Sequence, residues 1–258
     1  MTTYALRDSS TMLRRYLLHM RRYPVMTFMV ILLPVVFLLL FVFVLGGTLG
    51  AGLGGDRSVY ANYVAPGILL LAVAGAAQGT AISVAMDMTE GIIARFKTMA
   101  IFRPSVLTGH VLGSMVQCAV GLAVVVGIAL AVGFRPTATP VEWLAAAGVL
   151  AMVCFGVIWV SLACGLVTKS VEAASNLPMP LMLLPFLGSG FVPTDSMPTG
   201  LRWFAEYQPF TPIIETLRGL LMDEPIGNNA ILAVAWCAVM AVGGFLWSRK
   251  LYNRDPRP

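Results

Sequence analysis

The chain has 258 residues, of which 58% are apolar and only 11% charged, against roughly 25% charged in an ordinary soluble domain. That composition excludes a soluble enzyme or binding module and indicates one integral membrane domain. A formal net charge of +5 speaks for orientation and anionic lipid headgroups, with no nucleic-acid partner.

Uncharged runs long enough to cross a hydrocarbon core of about 30 Å, roughly 20 helical residues, occur six times. They predict spans over about 24–46, 62–86, 106–133, 142–168, 174–194 and 226–248. Before the first, Leu13, Tyr16, Leu17 and Met20 recur at helical spacing while Arg14, Arg15, Arg21 and Arg22 point elsewhere. That pattern predicts an amphipathic helix in the membrane interface. The first apolar run is too long for a signal peptide and lacks a small-residue cleavage site, so it is expected to stay as a transmembrane helix. Pro34 predicts a kink within it. The following GGTLGAGLGGDRS reads as a flexible loop.

The second span carries Pro66, the small residues Gly75, Ala76, Ala77 and Gly79, and, beyond Asn62 at its edge, one amide, Gln78. Small residues let helices approach closely. Beyond it, EGIIARFKTMAIFR, Glu90 to Arg103, holds four charges in fourteen residues. Arg95 and Lys97 at the bilayer centre would each cost about 2.5 to 3.5 kcal/mol, so this stretch lies at or outside a membrane surface. It reads as a helix started by Asp87 or Thr89 and ended by Pro104, with Ile92, Ile93, Phe96, Met99 and Ala100 on one side. Either it merely joins two spans or it presents a docking face to a cytoplasmic partner.

Spans three and four enclose the turn FRPTATP. The fifth differs from the rest: SNLPMPLMLLPFLGSGFVP contains four prolines and two glycines. Pro178, Pro180 and Pro185 each remove a backbone donor, which predicts a bent or unwound segment. In lipid, such backbone survives only where protein or a water-filled cavity covers it, and this makes the segment a candidate wall of a substrate route. After it, Leu201, Trp203, Phe204 and Tyr207 predict one short amphipathic helix. A second follows, with Thr211 as N-cap and Pro212 at its first position. Glu215 and Arg218, three apart, are expected to pair as a structural salt bridge.

Basic residues orient the chain. One side receives thirteen of the seventeen, including both terminal clusters and the Glu90 to Arg103 stretch, and the other receives Arg57, Arg135, Arg202 and Arg218. Both termini are therefore expected in the cytoplasm of a multi-pass plasma-membrane protein. The four cysteines all fall within spans and read as packing residues. No phosphate-binding loop is present, since GLVTKS lacks the glycine before its lysine, and there is no H-E-x-x-H. LGSG around Ser189 resembles a serine nucleophile but has no histidine on its side of the membrane. No carboxylate sits well inside a span to serve a proton relay. Energy for transport would come from another subunit.

The segment LGSGFVPTDSMPTGLRWFAEYQPFTPIIETLRGLL, Leu187 to Leu221, resembles the signature of permease subunits of type 2 ATP-binding-cassette (ABC-2) exporters, in the branch named for daunorubicin and doxorubicin resistance. The matching features are Ser189-Gly190, Pro193, Met197-Pro198, Pro209, Thr211-Pro212 and Leu217-Arg218-Gly219. The resemblance implies an all-α fold of six transmembrane helices, an N-terminal interfacial helix, a cytoplasmic coupling helix between spans two and three, and extracellular re-entrant helices between spans five and six. It also implies a bacterial permease that pairs with a second copy, as a homodimer, on two ATPase subunits. ATP and Mg²⁺ would be used by those partners, and the chain itself would bind no cofactor or metal.

Glu90, Gly91, Arg95, Phe96 and Lys97 would form the coupling site. Many relatives place a proline directly after the threonine that follows this arginine, whereas here Thr98 is followed by Met99 and proline waits until Pro104. Pro198, Trp203, Glu215 and Arg218 would belong to the outer re-entrant segment. Gln78, Asn176, Met182 and Phe186, amides or large side chains on spans two and five, are candidate lining residues of a route for hydrophobic or amphipathic, drug-like substrates. The alternatives are export of a lipid or polysaccharide precursor, and a membrane scaffold without transport.

Overall fold

The computed structural model describes residues 2–22, 24–93, 95 and 104–253, and every regular element among them is helical. Among the described residues, five helices are long and apolar enough to cross a membrane. The sixth expected crossing, 174–194, is not a long helix. It is divided into α7 (Val171–Asn176) and α8 (Met179–Leu183), then runs through turns to a short 3-10 turn at Thr194–Ser196. The cause is the one legible in the sequence: three proline nitrogens cannot donate along a helical ladder. The surviving bonds are local, such as Leu181 N to Pro178 O at 2.9 Å and Leu187 N to Leu183 O at 3.1 Å.

α1 (Thr2–Arg22) lies against α5 (Pro104–Val132). Gly109 and Gly113, one turn apart on α5, face Met12 and Tyr16, and a Cβ at Gly109 would stand 2.5 Å from Met12 Cβ. Thus the face of α1 read as interfacial is in part a helix-packing face. The first crossing begins as α2 (Pro24–Leu39), passes through a π-helical stretch at Leu40–Leu45 and ends as α3 (Gly46–Gly52). It continues through Pro34, so the departure from α geometry falls downstream of the predicted kink. Most of the glycine-rich stretch is helical too, because Gly46 and Gly50 are buried at close contacts that a side chain would obstruct.

α4 (Arg57–Thr89) is the central helix, with twenty buried residues between Tyr60 and Ala85. Asp56 caps it by accepting from Ser58 N at 2.9 Å and Val59 N at 3.4 Å. These bonds, with one from the Ser58 hydroxyl, hold its carboxyl below the ordinary carboxylate range. At its other end α4 runs on through Asp87 to Thr89, three residues beyond the predicted boundary, so neither residue starts a new helix. α2, α5, α6 (Pro140–Val167) and the broken segment all pack on α4. Two approaches are especially close: a Cβ on Gly67 would lie 2.6 Å from Gly190 O, and one on Gly165 of α6 would lie 2.6 Å from Ala81 O.

The remaining helices are α9 (Thr199–Tyr207), α10 (Phe210–Met222) and α11 (Asn229–Tyr252). α9 matches the expected surface helix: Trp203 and Tyr207 are both 66% exposed, with ring centroids 5.4 Å apart. α10 does not. Ten of its thirteen residues are buried, against α4, α6 and α11, so it belongs to the bundle. Its start also differs from expectation. Phe210 begins the helix after Pro209, and the Thr211 hydroxyl does not cap it but donates to Ala205 O at 2.5 Å, stapling α10 to α9.

Candidate functional site

The two ends of α4 carry different polar centres. Tyr63 and Asp87 are twenty-four residues apart on that helix, about 36 Å at 1.5 Å per residue.

At the Asp87 end, three elements meet. Arg15 of α1 donates to both carboxylate oxygens of Asp87, at 3.1 and 3.3 Å. His110 of α5 places Nε2 3.1 Å from the same carboxylate. Deeper in, the Tyr16 hydroxyl donates to Gln117 Oε1 at 2.9 Å, and the Gln117 amide donates to Thr27 Oγ1 at 3.3 Å. Asp87, Tyr16 and Gln117 escaped the sequence reading because their partners lie 23 to 101 residues away, on other helices. The available signal was His110, the one ionisable group interrupting an otherwise uncharged run.

α4 ends at Thr89, two residues after Asp87. Glu90 N and Gly91 N donate to Met86 O and Met88 O at 2.9 and 3.2 Å. Gly91 has φ +71°, the left-handed conformation that closes helices and suits glycine. The chain is thereby turned, and helical geometry resumes at Ile92, Ile93 and Arg95, whose N–H donates to Gly91 O at 3.0 Å. Glu90 and Arg95 are exposed. Of the expected coupling residues, Phe96 and Lys97 lie outside the described residues, as do Thr98 and Met99.

A cavity of about 390 Å³ opens beside this centre, walled by α1, α2, α4 and α5. Of the four candidate lining residues, Gln78 and Met182 line it. Gln78 also donates to Ser175 O at 2.7 Å, tying α4 to the broken segment. Asn176 is exposed at the end of α7 and does not line the cavity. Phe186 lies elsewhere, in an aromatic stack with Phe37, Phe41 and Phe191 whose nearest centroids are 4.4 Å apart.

At the Tyr63 end the centre is Arg218 of α10, 5% exposed. It donates to Glu215 Oε1 at 2.6 Å, Ser189 O at 2.7 Å and Tyr63 O at 3.3 Å. Its guanidinium carbon stands 3.9 Å from the Tyr63 ring centroid. The expected salt bridge is therefore present as one arm of a larger knot that fastens α10 to α4 and to the broken segment. Pro198 and Trp203 lie apart from it, at the start and on the exposed face of α9. Ser189 is buried in the knot, while His110 sits at the far end of α4. The two cannot form a nucleophile–base pair.

The family described as ABC-2 type transporter matches residues 8–222. Daunorubicin resistance ABC transporter permease protein DrrB1 of Streptomyces coeruleorubidus is 28% identical over 213 residues, covering 82% of this chain and 74% of that protein. Probable doxorubicin resistance ABC transporter permease protein DrrC of Mycobacterium tuberculosis is 24% identical over 215 residues, covering 82% of this chain and 76% of the relative.

Proposed function

The chain belongs to the ABC-2 type transporter family, and on that premise we propose that it is the permease half of an ATP-driven exporter of hydrophobic or amphipathic, drug-like compounds. The match over residues 8–222, which joins the central helix, the broken segment and the Arg218 knot in one family pattern, carries this reading. The relatives named for daunorubicin and doxorubicin resistance support the class of cargo.

In this account two copies of the chain stand on two ATPase subunits in a bacterial plasma membrane. ATP and Mg²⁺ are bound by those partners. The turn at Gly91 and the exposed charges of Glu90 and Arg95 form the beginning of the docking surface, continued by Phe96 and Lys97. Substrate enters near Gln78 and Met182 and leaves past Phe186, with Asn176 at the rim of the broken segment. α9 and α10 close the route from the outer side. A lipid or polysaccharide precursor is the alternative cargo, and a scaffold without transport the alternative role.

Co-expression with the cognate ATPase subunit tests the reading. The two should purify together, and hydrolysis should rise with an amphipathic drug more than with a labelled lipid precursor. Failure to bind or stimulate any ATPase subunit would favour the scaffold.

The broken segment, in this reading, supplies the sixth crossing, with both termini cytoplasmic. Cysteines placed at Lys169 and Thr199, on either side of that segment, should then react with an impermeant maleimide from opposite faces. Background is low because Cys118, Cys154, Cys164 and Cys237 are all buried. Labelling of both positions from one face would overturn the six-crossing topology.

A further inference from the structure

The cavity of about 390 Å³ lies inside a single copy of the chain, within the size range of about 300–1,000 Å³ usual for small-molecule pockets. Its walls have two characters. Met12, Met20, Met29, Met86 and Met182 supply much of the apolar side, and methionine, unbranched and polarizable, adapts to bodies of different shape. The other side is polar and carries two carboxylates, Asp87 and Glu90, and one guanidinium, Arg15, which bonds both oxygens of Asp87. His110 lines the same end at 7% exposure, and its Nδ1 is buried with no hydrogen-bond partner among the described residues. A buried polar atom of that kind is unfavourable unless something bonds to it. Glu90 is exposed, so the acidic end of the cavity reaches the protein surface where α4 ends.

The geometry points to this cavity as a binding site, complete within one protomer, for an amphipathic cation: an apolar body lies among the methionines and a basic head at the Asp87 and Glu90 end. The site lies within one copy, where the proposed route begins beside Gln78 and Met182. It rests on the permease reading only for the step from binding to export.

Equilibrium binding of tetraphenylphosphonium to the full chain, co-purified with its ATPase partner in lipid nanodiscs, tests the site, with tetraphenylborate as the anion of matched shape. Saturable binding of the cation and none of the anion is expected. Ser83→Trp, which fills the cavity from α4, should weaken cation binding at least tenfold. Glu90→Gln should weaken it severalfold and, at an exposed position, reads the same site if the tryptophan disturbs folding. Unchanged affinity in both variants, or equal binding of cation and anion, would overturn the assignment while leaving the permease reading in place. Saturable cation binding by a complex that neither couples hydrolysis to the cation nor exports it would instead defeat the permease reading and keep the site.

Discussion

Replacing Arg218 by alanine is expected to destabilise the protein by about 3–5 kcal/mol, the range for removing one partner of a buried ion pair. The magnitude follows from how much depends on one side chain. The substitution leaves the Glu215 carboxylate, 29% exposed, without its cation. It also removes the donors to Ser189 O and Tyr63 O, the contacts that hold α10 against the broken segment and α4. Arg218→Lys should recover only part of the loss, because one ammonium cannot replace a planar fork serving three acceptors and stacking on Tyr63. A second arginine at this end, Arg202, is a useful contrast. Arg202 bridges Asp195 and Glu206 at 2.7 Å but is 45% exposed, and its removal should leave the unfolding midpoint nearly unshifted. Thermal unfolding in detergent checks both; an unshifted midpoint for Arg218→Ala would show that the knot is not structural.

The second large effect is expected on coupling. Glu90→Lys and Arg95→Glu should each lower export at least tenfold while hydrolysis by the associated ATPase continues and the unfolding midpoint stays put. The positions favour that separation of effects. Both side chains are exposed, and reversing an exposed charge alters what docks on it more than what lies beneath. Arg95 does not line the cavity, whereas Glu90 does. Arg95→Glu therefore reports on docking alone, and a loss confined to Glu90→Lys would trace to the cavity. Unchanged export in both variants would refute the docking role.

These expectations draw on sequence and structure in different proportions. Five of the six expected spans were legible as long helices because backbone polar groups in hydrocarbon must be satisfied within the segment, which a helix does for a long uncharged run. The breaks at Pro178, Pro180 and Pro185 were legible for the same reason. Helix ends were less so. α4 outruns its apolar run because the charge of Asp87 is met by Arg15 and His110, 72 residues before it and 23 after, and no local pattern displays such partners. Thr211-Pro212 looked like a helix start by local rules, yet tertiary contact with Ala205 O decided the role of the hydroxyl. The glycine-rich stretch was read as loose because glycine permits many conformations, whereas packing of Gly50 on the Asp56 backbone settles one of them.

The candidate site divides in the same way. Glu90 and Gly91 came from a family resemblance, and the positive φ of Gly91 supplies a physical reason for glycine there. Gln78 was chosen as the one amide of its span beyond Asn62 at the edge, and it lines the cavity. Asn176, chosen by the same logic, does not; it stands exposed as the last residue of α7. The methionine wall had no signature in the sequence, because its members are spread over α1, α2, α4 and the broken segment.

The central claim is that this chain moves an amphipathic compound using ATP hydrolysed by another subunit. ATP-driven accumulation of a lipophilic fluorescent cation in inside-out proteoliposomes, containing the chain and its cognate ATPase, measures it directly. Accumulation should require both proteins and hydrolysable ATP, and should fall at least tenfold with Arg95→Glu. Equal accumulation with the ATPase subunit alone, or with the chain and no ATP, would contradict the account.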